Sequence, residues 1–164
     1  MVRNISFKDA YMDFWKCALD FSGRSSRKEY WFPMLVNIII LLSIWTICTY
    51  IDGQLGIDPE ARFSISNIVY KTLSFFFSIG VLSVSVRRLH DTNLSGIIAI
   101  VPGVLVMTIV LISMLLNQFG VDTESMISIA MPVCLIGIVI IYLVLLLRDG
   151  THGPNEYGED PLNR

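Results

Sequence analysis

The side chains able to do chemistry are concentrated in three short segments. These are residues 23–29 (Gly-Arg-Ser-Ser-Arg-Lys-Glu), 87–91 (Arg-Arg-Leu-His-Asp) and 149–158 (Asp-Gly-Thr-His-Gly-Pro-Asn-Glu-Tyr-Gly). Their arginines offer planar donors that suit a phosphate or a carboxylate, and a histidine is the side chain that titrates near neutral pH. The candidate residues for binding an anion or another ligand are Arg24, Arg27, Glu29, Arg87, Arg88, His90, Asp91, Asp149 and Asn155.

No pattern among these residues is typical of a catalytic or metal site. The chain has no H-x-x-x-H pair, no nucleophile elbow and no phosphate-binding glycine loop. An enzyme would have to use His90 or Asp91 as its general base, with the arginines stabilising negative charge. The three cysteines are far apart and form no zinc pattern. We therefore expect no catalytic residue, no metal and no cofactor, and the sequence favours a protein that is not an enzyme.

The composition places these segments beside long apolar stretches. Hydrophobic residues make up 54% of the 164-residue chain and charged residues only 16%, whereas a soluble domain has about 25% charged residues. Residues 30–51, 92–121 and 125–147 contain no Asp, Glu, Lys or Arg, and residues 63–86 contain only Lys71. Because a helix needs about 20 apolar residues to cross the hydrocarbon core, these stretches predict four crossings.

The predicted architecture is all-α: an integral membrane four-helix transmembrane bundle preceded by an amphipathic helix, in one membrane domain over residues 1–164. The amphipathic helix covers residues 5–21, and the spans cover residues 31–51, 66–86, 94–116 and 125–147, before a tail over residues 148–164. Asp122 or Thr123 is the predicted N-cap of the last span. Pro102 and Gly103 predict a kink in the third span.

The amphipathic helix has an apolar face that includes Phe7 and Phe14. This pattern favours a helix that lies in the membrane interface with its apolar face toward the acyl chains. The alternative is that this face packs against the protein's own spans. Gly23 is the predicted end of this helix, and Ser26 and Glu29 predict a capping box at the start of the next.

Lys71 interrupts the second span. The charge-free part that follows it, residues 72–86, is about 22 Å long as a helix, which is shorter than the roughly 30 Å hydrocarbon core. The helix must therefore begin before Lys71 and let the amine reach outward, or it must turn Lys71 toward the bundle interior.

The basic residues predict the orientation of the chain. With four spans, the N-terminal segment, the connection after the second span and the tail share one side of the membrane. Ten of the 12 lysine and arginine residues lie on that side, and only Arg62 and Lys71 lie on the other. The positive-inside rule therefore predicts two cytoplasmic termini, with the three polar segments together at headgroup depth. If the second span continues by one turn, Arg87 and Asp91 form an i, i+4 pair.

Three motifs in these segments resemble those of a known family. They are residues 21–31 (Phe-Ser-Gly-Arg-Ser-Ser-Arg-Lys-Glu-Tyr-Trp), residues 87–96 (Arg-Arg-Leu-His-Asp, then Ser-Gly) and residues 153–161 (Gly-x-Asn-x-Tyr-Gly-x-x-Pro). They are similar to motifs of the DUF805 family (domain of unknown function 805), the YhaH-like bacterial inner-membrane proteins. Ile97 and Ile98 depart from the family, which often has tryptophans there. The resemblance implies a small multi-pass protein of the bacterial inner (cytoplasmic) membrane and supplies no catalytic residue.

Two functions fit these observations. In the first, Arg24, Arg27 and Arg88 neutralise acidic side chains in an ion-paired structural lock, and the protein is a scaffold or interaction protein. In the second, the same cluster binds an anionic lipid headgroup or a small phosphate ligand. A membrane enzyme, channel or transporter is less favoured, because Lys71 is the single candidate for an ionisable group at mid-membrane. The expected partners are membrane lipids and a second copy or another membrane protein, and a net charge of −2 does not favour nucleic acid.

Overall fold

The described part of the chain is helical. The computed structural model describes residues 5–119 and 124–163, including their side chains except those of residues 124–131. The helices are α1 (Phe7–Lys16), α2 (Arg27–Gln54), α3 (Ile65–Asp91), α4 (Val101–Gln118) and α5 (Glu124–Leu147), with a 3-10 turn at Gly96–Ala99 before α4. The predicted N-cap of the last span, Asp122 or Thr123, lies outside the described residues.

The long helices have the length and composition of membrane spans. Helices α2, α3 and α4 are each long and apolar enough to cross a bilayer, and Pro132–Leu147 forms a shorter apolar stretch within α5. The prediction of an all-helical membrane protein is confirmed by these helices. The four-span bundle and its orientation stay predictions.

Helix α1 packs against the antiparallel pair formed by α2 and α3. Phe7 of α1 stacks on Phe32 of α2 with ring centroids 3.8 Å apart. Phe14 is buried against Gly80 of α3, where an added Cβ would lie 2.5 Å from the Phe14 ring. The buried face of α1 is therefore turned to the protein's own helices, which is the alternative to a face turned to the acyl chains.

Helix α1 is shorter than the sequence predicts. It ends at Lys16, and Gly23 lies in the linker to α2 with a φ of +76°, so the prediction that Gly23 ends this helix is wrong. The carbonyl oxygens of Cys17 and Asp20 accept hydrogen bonds from side chains of α3. These tertiary contacts take the place of the next helical turn.

Helices α2 and α3 both begin at serine caps. The capping box between Ser26 and Glu29 starts α2 as predicted. Ser64 caps α3, and the Ser64 side chain accepts a hydrogen bond from the backbone N–H of Asn67. Because α3 begins before Lys71 and this side chain is exposed, the lysine does not face the bundle interior.

Helix α4 starts later than the predicted third span. A 3-10 turn at Gly96–Ala99 comes first, and Pro102 then lies in the first turn of α4. The missing N–H of a proline removes no hydrogen bond at this position. The predicted kink at Pro102 and Gly103 in the middle of a span is therefore wrong.

The apolar core lies next to the polar segments. Its fully packed side chains come from α1, α2, α3 and α5, and they are Phe14, Tyr30, Val84, Leu89 and Leu146. This core aligns the start of α2 with the ends of α3 and α5, so the polar residues at those ends are brought together.

Candidate functional site

The three polar segments of the sequence meet at the end of α3. Ser25, in the linker before α2, donates its backbone N–H to the carbonyl oxygen of Arg87 at 3.0 Å. Thr151, in the tail after α5, donates its backbone N–H to the carbonyl oxygen of Asp91 at 2.8 Å. Backbone hydrogen bonds therefore fasten both the linker and the tail to the last turn of α3.

Asp91 lies between two arginines. Its Oδ1 accepts hydrogen bonds from Arg24 Nε at 3.1 Å and Arg24 Nη2 at 2.9 Å, and its Oδ2 accepts one from Arg88 Nη1 at 2.5 Å. The side chains of Arg24 and Arg88 are each 1% exposed and that of Asp91 is 2% exposed. A buried charge is tolerated when it is paired and hydrogen-bonded, and these three residues, the arginine cluster, meet that condition.

Every N–H donor of Arg24 has an acceptor. Besides the carboxylate, its Nη1 donates to the carbonyl oxygens of Gly153 at 2.7 Å and Gly158 at 3.3 Å, and its Nη2 donates to that of Thr151 at 2.6 Å. An isolated β-bridge between Asn155 and Gly158 closes the turn that presents these oxygens. Arg24 therefore holds the tail in its folded shape.

Arg88 caps the end of α5. Its Nε donates to the carbonyl oxygen of Leu146 at 2.9 Å, and its Nη2 donates to that of Arg148. The last carbonyls of a helix have no partner within the helix and carry partial negative charge. The buried guanidinium of Arg88 donates hydrogen bonds to these carbonyls and brings a positive charge to them. Arg88 therefore binds α5 to α3.

Arg87 caps a different helix. Neighbouring residues on a helix point about 100° apart, so Arg87 and Arg88 reach different partners. Arg87 Nη1 donates to the carbonyl oxygens of Cys17 at 2.9 Å and Asp20 at 3.2 Å, beyond the end of α1. Ser83 Oγ donates to the same two oxygens. The expected pair between Arg87 and Asp91 is wrong, because Asp91 pairs with Arg24 and Arg88 while Arg87 binds the carbonyl oxygens beyond α1.

The helix ends balance the charge of this region. The C-terminal ends of α1, α3 and α5 lie here, and each carries about half a negative charge from its unpaired carbonyls. The arginines at positions 24, 87 and 88 outnumber Asp91, and the three helix ends offset most of this positive excess. These partial charges therefore help to stabilise the three arginines in this region.

His90 is buried beside the arginine cluster. Its ring stacks on Tyr157 with centroids 3.9 Å apart and planes 6° apart. Its Nδ1 is 3.0 Å from the carbonyl oxygen of Gly23, and because a carbonyl only accepts, Nδ1 carries a proton. Asn155 Nδ2 donates to the carbonyl oxygen of His90 at 2.9 Å and to Thr151 Oγ1 at 3.0 Å. His90 thus joins the linker to the tail.

Two glycines allow the close packing of this region. A Cβ at Gly150 would lie 1.9 Å from Asp91 Oδ2, and a Cβ at Gly96 would lie 2.9 Å from His90 Nε2. Sequence analysis missed both as site residues, together with the ring of Tyr157 and the carbonyl oxygens of the tail. The repeated glycines beside Asp149 and His152 were the available signal, since glycine permits close approach of the backbone.

Three predicted site residues, Arg27, Glu29 and Asp149, do not belong to the group that meets at the end of α3. Arg27 Nη2 is 2.5 Å from Asp149 Oδ1, but these side chains are 52% and 67% exposed. Glu29 Oε2 accepts the backbone N–H of Ser26 at 2.7 Å, in the capping box. Among the described residues, no three His, Cys, Asp or Glu side chains are placed to hold a metal ion. The structure brings together the remaining predicted residues around the end of α3: Arg24, Arg87, Arg88, His90, Asp91 and Asn155.

Known proteins share the segments that build this site. The family model described as "Protein of unknown function (DUF805)" matches residues 18–159. Inner membrane protein YhaI of Escherichia coli (strain K12) is 30% identical over 151 residues, which cover 92% of this chain and 93% of that protein. Inner membrane protein YhaH of the same organism is 35% identical over 88 residues, which cover 54% of this chain and 67% of that protein. No solved structure matches the chain. The chain belongs to the DUF805 family of membrane proteins, whose function is unknown.

Proposed function

We propose that the protein is a scaffold of the bacterial inner membrane whose arginine cluster locks its cytoplasmic face. The lock joins the linker after α1, the ends of α3 and α5, and the tail. The names of its relatives support the inner membrane as its location. Helices α2, α3 and α4 are long and apolar enough to cross the membrane, and the proposal adds α5, with its apolar stretch Pro132–Leu147, as the fourth crossing. The basic residues concentrated at one end of these helices support two cytoplasmic termini.

Arg24 and Arg88 donate their hydrogen bonds to the protein itself, and this observation carries the proposal. Arg24 and Arg88 bind Asp91 and the carbonyl oxygens of the tail and of the end of α5. A phosphate group would have to displace these contacts inside a region where both side chains are 1% exposed. Removing one partner of a buried ion pair typically costs about 3–5 kcal/mol, because the other charge is left buried and unpaired. The fold of this face therefore depends on each member of the cluster.

One comparison of variants tests the lock. The wild-type protein, Arg88→Ala and the matched variant Arg27→Ala, which removes an exposed arginine, are purified in the same detergent. Thermal unfolding and the amount of co-purified anionic lipid are then measured. Arg88→Ala should unfold at a lower temperature with unchanged lipid content, whereas Arg27→Ala should keep the wild-type unfolding temperature. Wild-type stability together with lost lipid in Arg88→Ala would contradict the structural role.

Reporter fusions test the proposed topology. Alkaline phosphatase is active when it is exported, so a fusion after Asn117 should be active and a fusion after Arg148 should be inactive. Contacts among the linker, the end of α3 and the tail support this arrangement, because they require these segments to share one side. The reverse pattern of activity would contradict four spans with cytoplasmic termini.

A second candidate function is the binding of an anionic lipid headgroup or a small phosphate by Arg27. The observation that favours it is the exposure of the pair between Arg27 and Asp149. An exposed ion pair contributes less than about 1 kcal/mol, so a phosphate at the same depth can replace Asp149. In the comparison above, this function predicts that Arg27→Ala loses anionic lipid and keeps its stability.

The partners of such a scaffold would contact surfaces outside the lock. Helix α4 buries none of its side chains within the described chain, so it is available to lipid, to a second copy of the chain or to another membrane protein. Native mass spectrometry of the protein released from nanodiscs measures its mass and therefore separates a monomer from a homo-oligomer. A monomer would favour a different membrane protein as the partner.

A further inference from the structure

A cavity of about 300 Å³ lies between α1, the linker after it and the adjoining ends of α2 and α3. Its walls include Asp13 of α1, Asp20 and Ser22 of the linker, and Arg87 of α3. Ligand pockets usually begin at about this volume, and a phospholipid headgroup is smaller. The cavity is therefore large enough to hold one headgroup.

One part of the cavity wall is acidic. Asp13 is half-buried, and its side chain makes no hydrogen bond or ion pair with the described residues. The pKa of the Asp20 carboxyl is lowered because Ser22 donates to it from its hydroxyl and its backbone N–H, with Arg87 adding a weaker effect. Glu29 also lines the cavity. Ionised carboxylates on the wall favour a positively charged group inside.

Another part of the wall offers a donor that lacks an acceptor. Arg87 is buried, and its Nε has no hydrogen-bond partner in the described chain. Within that same part of the chain no carboxylate lies within 4.0 Å of Arg87. A buried donor without a partner is costly, so Arg87 calls for an acceptor from a bound group. A ligand for this cavity must therefore carry both a cation and a hydrogen-bond acceptor.

Two exposed apolar side chains of the linker are sequence neighbours of Asp20, which lines the cavity. Leu19 is 77% exposed and Phe21 is 42% exposed, and they lie on either side of Asp20 in the sequence. Large apolar side chains that project from a segment at the membrane surface insert among acyl chains. These neighbours identify a lipid, rather than a soluble metabolite, as the source of the bound group.

We propose that this cavity binds the headgroup of a zwitterionic phospholipid that carries a primary ammonium group. The ammonium donates hydrogen bonds to the carboxylates of Asp13 and Asp20, and the phosphate accepts a hydrogen bond from the guanidinium group of Arg87. The acyl chains lie along Leu19 and Phe21. Arg24 of the arginine cluster also lines the cavity, but its N–H donors are occupied by Asp91 and the tail. The proposed contacts therefore use neither the arginine cluster nor the pair between Arg27 and Asp149, and they do not depend on the proposed scaffold function.

The test measures which lipid stays bound to the full-length protein. The protein is reconstituted into phosphatidylcholine nanodiscs that contain a minor fraction of either phosphatidylethanolamine or phosphatidylglycerol, and retained lipid is identified by native mass spectrometry. Choline has the same charge as ethanolamine but no N–H to donate. Because a hydrogen bond to a charged group changes affinity by about tenfold or more, wild type should retain phosphatidylethanolamine about tenfold over phosphatidylcholine.

Two variants of α1 give the matched comparison. Asp13→Asn removes a carboxylate that lines the cavity and should abolish the preference, with an unchanged unfolding temperature because Asp13 has no partner in the described chain. Asp9→Asn removes an exposed carboxylate of the same helix that does not line the cavity, and it should keep the preference. Equal retention of ethanolamine and choline lipids by wild type, equal retention of phosphatidylglycerol, or a preference that persists in Asp13→Asn would overturn the proposal.

Discussion

The two ends of α3 each use a buried aspartate, and they satisfy it in different ways. At the start of α3, Asp52 accepts the backbone N–H groups of Ile65 at 3.0 Å and Ser66 at 2.9 Å. At the end of α3, Asp91 accepts hydrogen bonds from Arg24 and Arg88. Both aspartates are buried almost completely, so the difference does not come from exposure.

The direction of the helix explains the difference. Unpaired N–H groups give the start of a helix a partial positive charge, and unpaired carbonyls give its end a partial negative charge. Asp52 belongs to the last turn of α2, but its carboxylate lies at the start of α3, where the N–H groups of Ile65 and Ser66 donate to it without any basic side chain. Asp91 lies at the unfavourable end, beside the ends of α1 and α5, and it is stable there because two guanidinium groups surround it. At the start of α3 the buried aspartate is therefore satisfied without basic side chains, whereas at the end of α3 it is satisfied by two arginines.

The largest effect should come from Asp91→Ala. This variant leaves two buried guanidinium groups without their shared carboxylate, and we expect a loss of about 3–5 kcal/mol in the free energy of unfolding. Chemical unfolding in a fixed detergent or lipid mixture measures it. A loss no greater than that of Asp52→Ala would break the comparison between the two ends of α3.

Gly150→Ala should be the next most harmful change. A Cβ at this position would lie 1.9 Å from Asp91 Oδ2, so the tail or the carboxylate must move. Forcing extra atoms into a packed site costs about 1–3 kcal/mol. Gly137→Ala is the matched control, because a Cβ there has no atom within 4 Å, and it should leave the unfolding temperature unchanged or raise it.

Asp52→Asn should have a smaller effect. The amide keeps one oxygen acceptor for the start of α3 but loses the charge that interacts with the helix dipole. We expect a loss comparable to that of a weakened helix cap, measured by the same unfolding experiment. A loss as large as that of Asp91→Ala would show that the dipole does not distinguish the two ends.

Asp149→Asn should have the smallest effect. It removes the carboxylate of an exposed ion pair with Arg27, and such pairs contribute less than about 1 kcal/mol. The unfolding temperature should stay close to that of the wild type. A larger loss would mean that the lock extends beyond the buried cluster to the surface of the tail.

Local patterns predicted much of the fold. The apolar stretches predicted the long helices, and the spacing of Ser26 and Glu29 predicted the capping box, because both depend on residues close in sequence. The predicted end of α1 and the predicted place of Pro102 in the middle of a span were wrong, because contacts between distant parts of the chain set both. The carbonyls after α1 bind side chains of α3, and a 3-10 turn delays the start of α4.

The site could be predicted as a set of residues but not as a set of contacts. The motifs gathered Arg24, Arg88, His90, Asp91 and Asn155, which do meet at the end of α3. Their partners are largely backbone carbonyls, and every residue has one, so the sequence carries no mark of which oxygens Arg24 binds. The close approach of Gly150 to Asp91 was hidden for the same reason.

The amino-acid sequence is sufficient to assign the chain to the helical membrane proteins of the DUF805 family. It could do so because hydrophobicity, capping and motif order are local and additive along the chain. The folded structure is needed to show that Arg87 binds the carbonyls beyond the end of α1, whereas Arg88 binds the end of α5. Two adjacent arginines read alike in the sequence, but on a helix they point about 100° apart, and the partner of each depends on which chain end lies on its side.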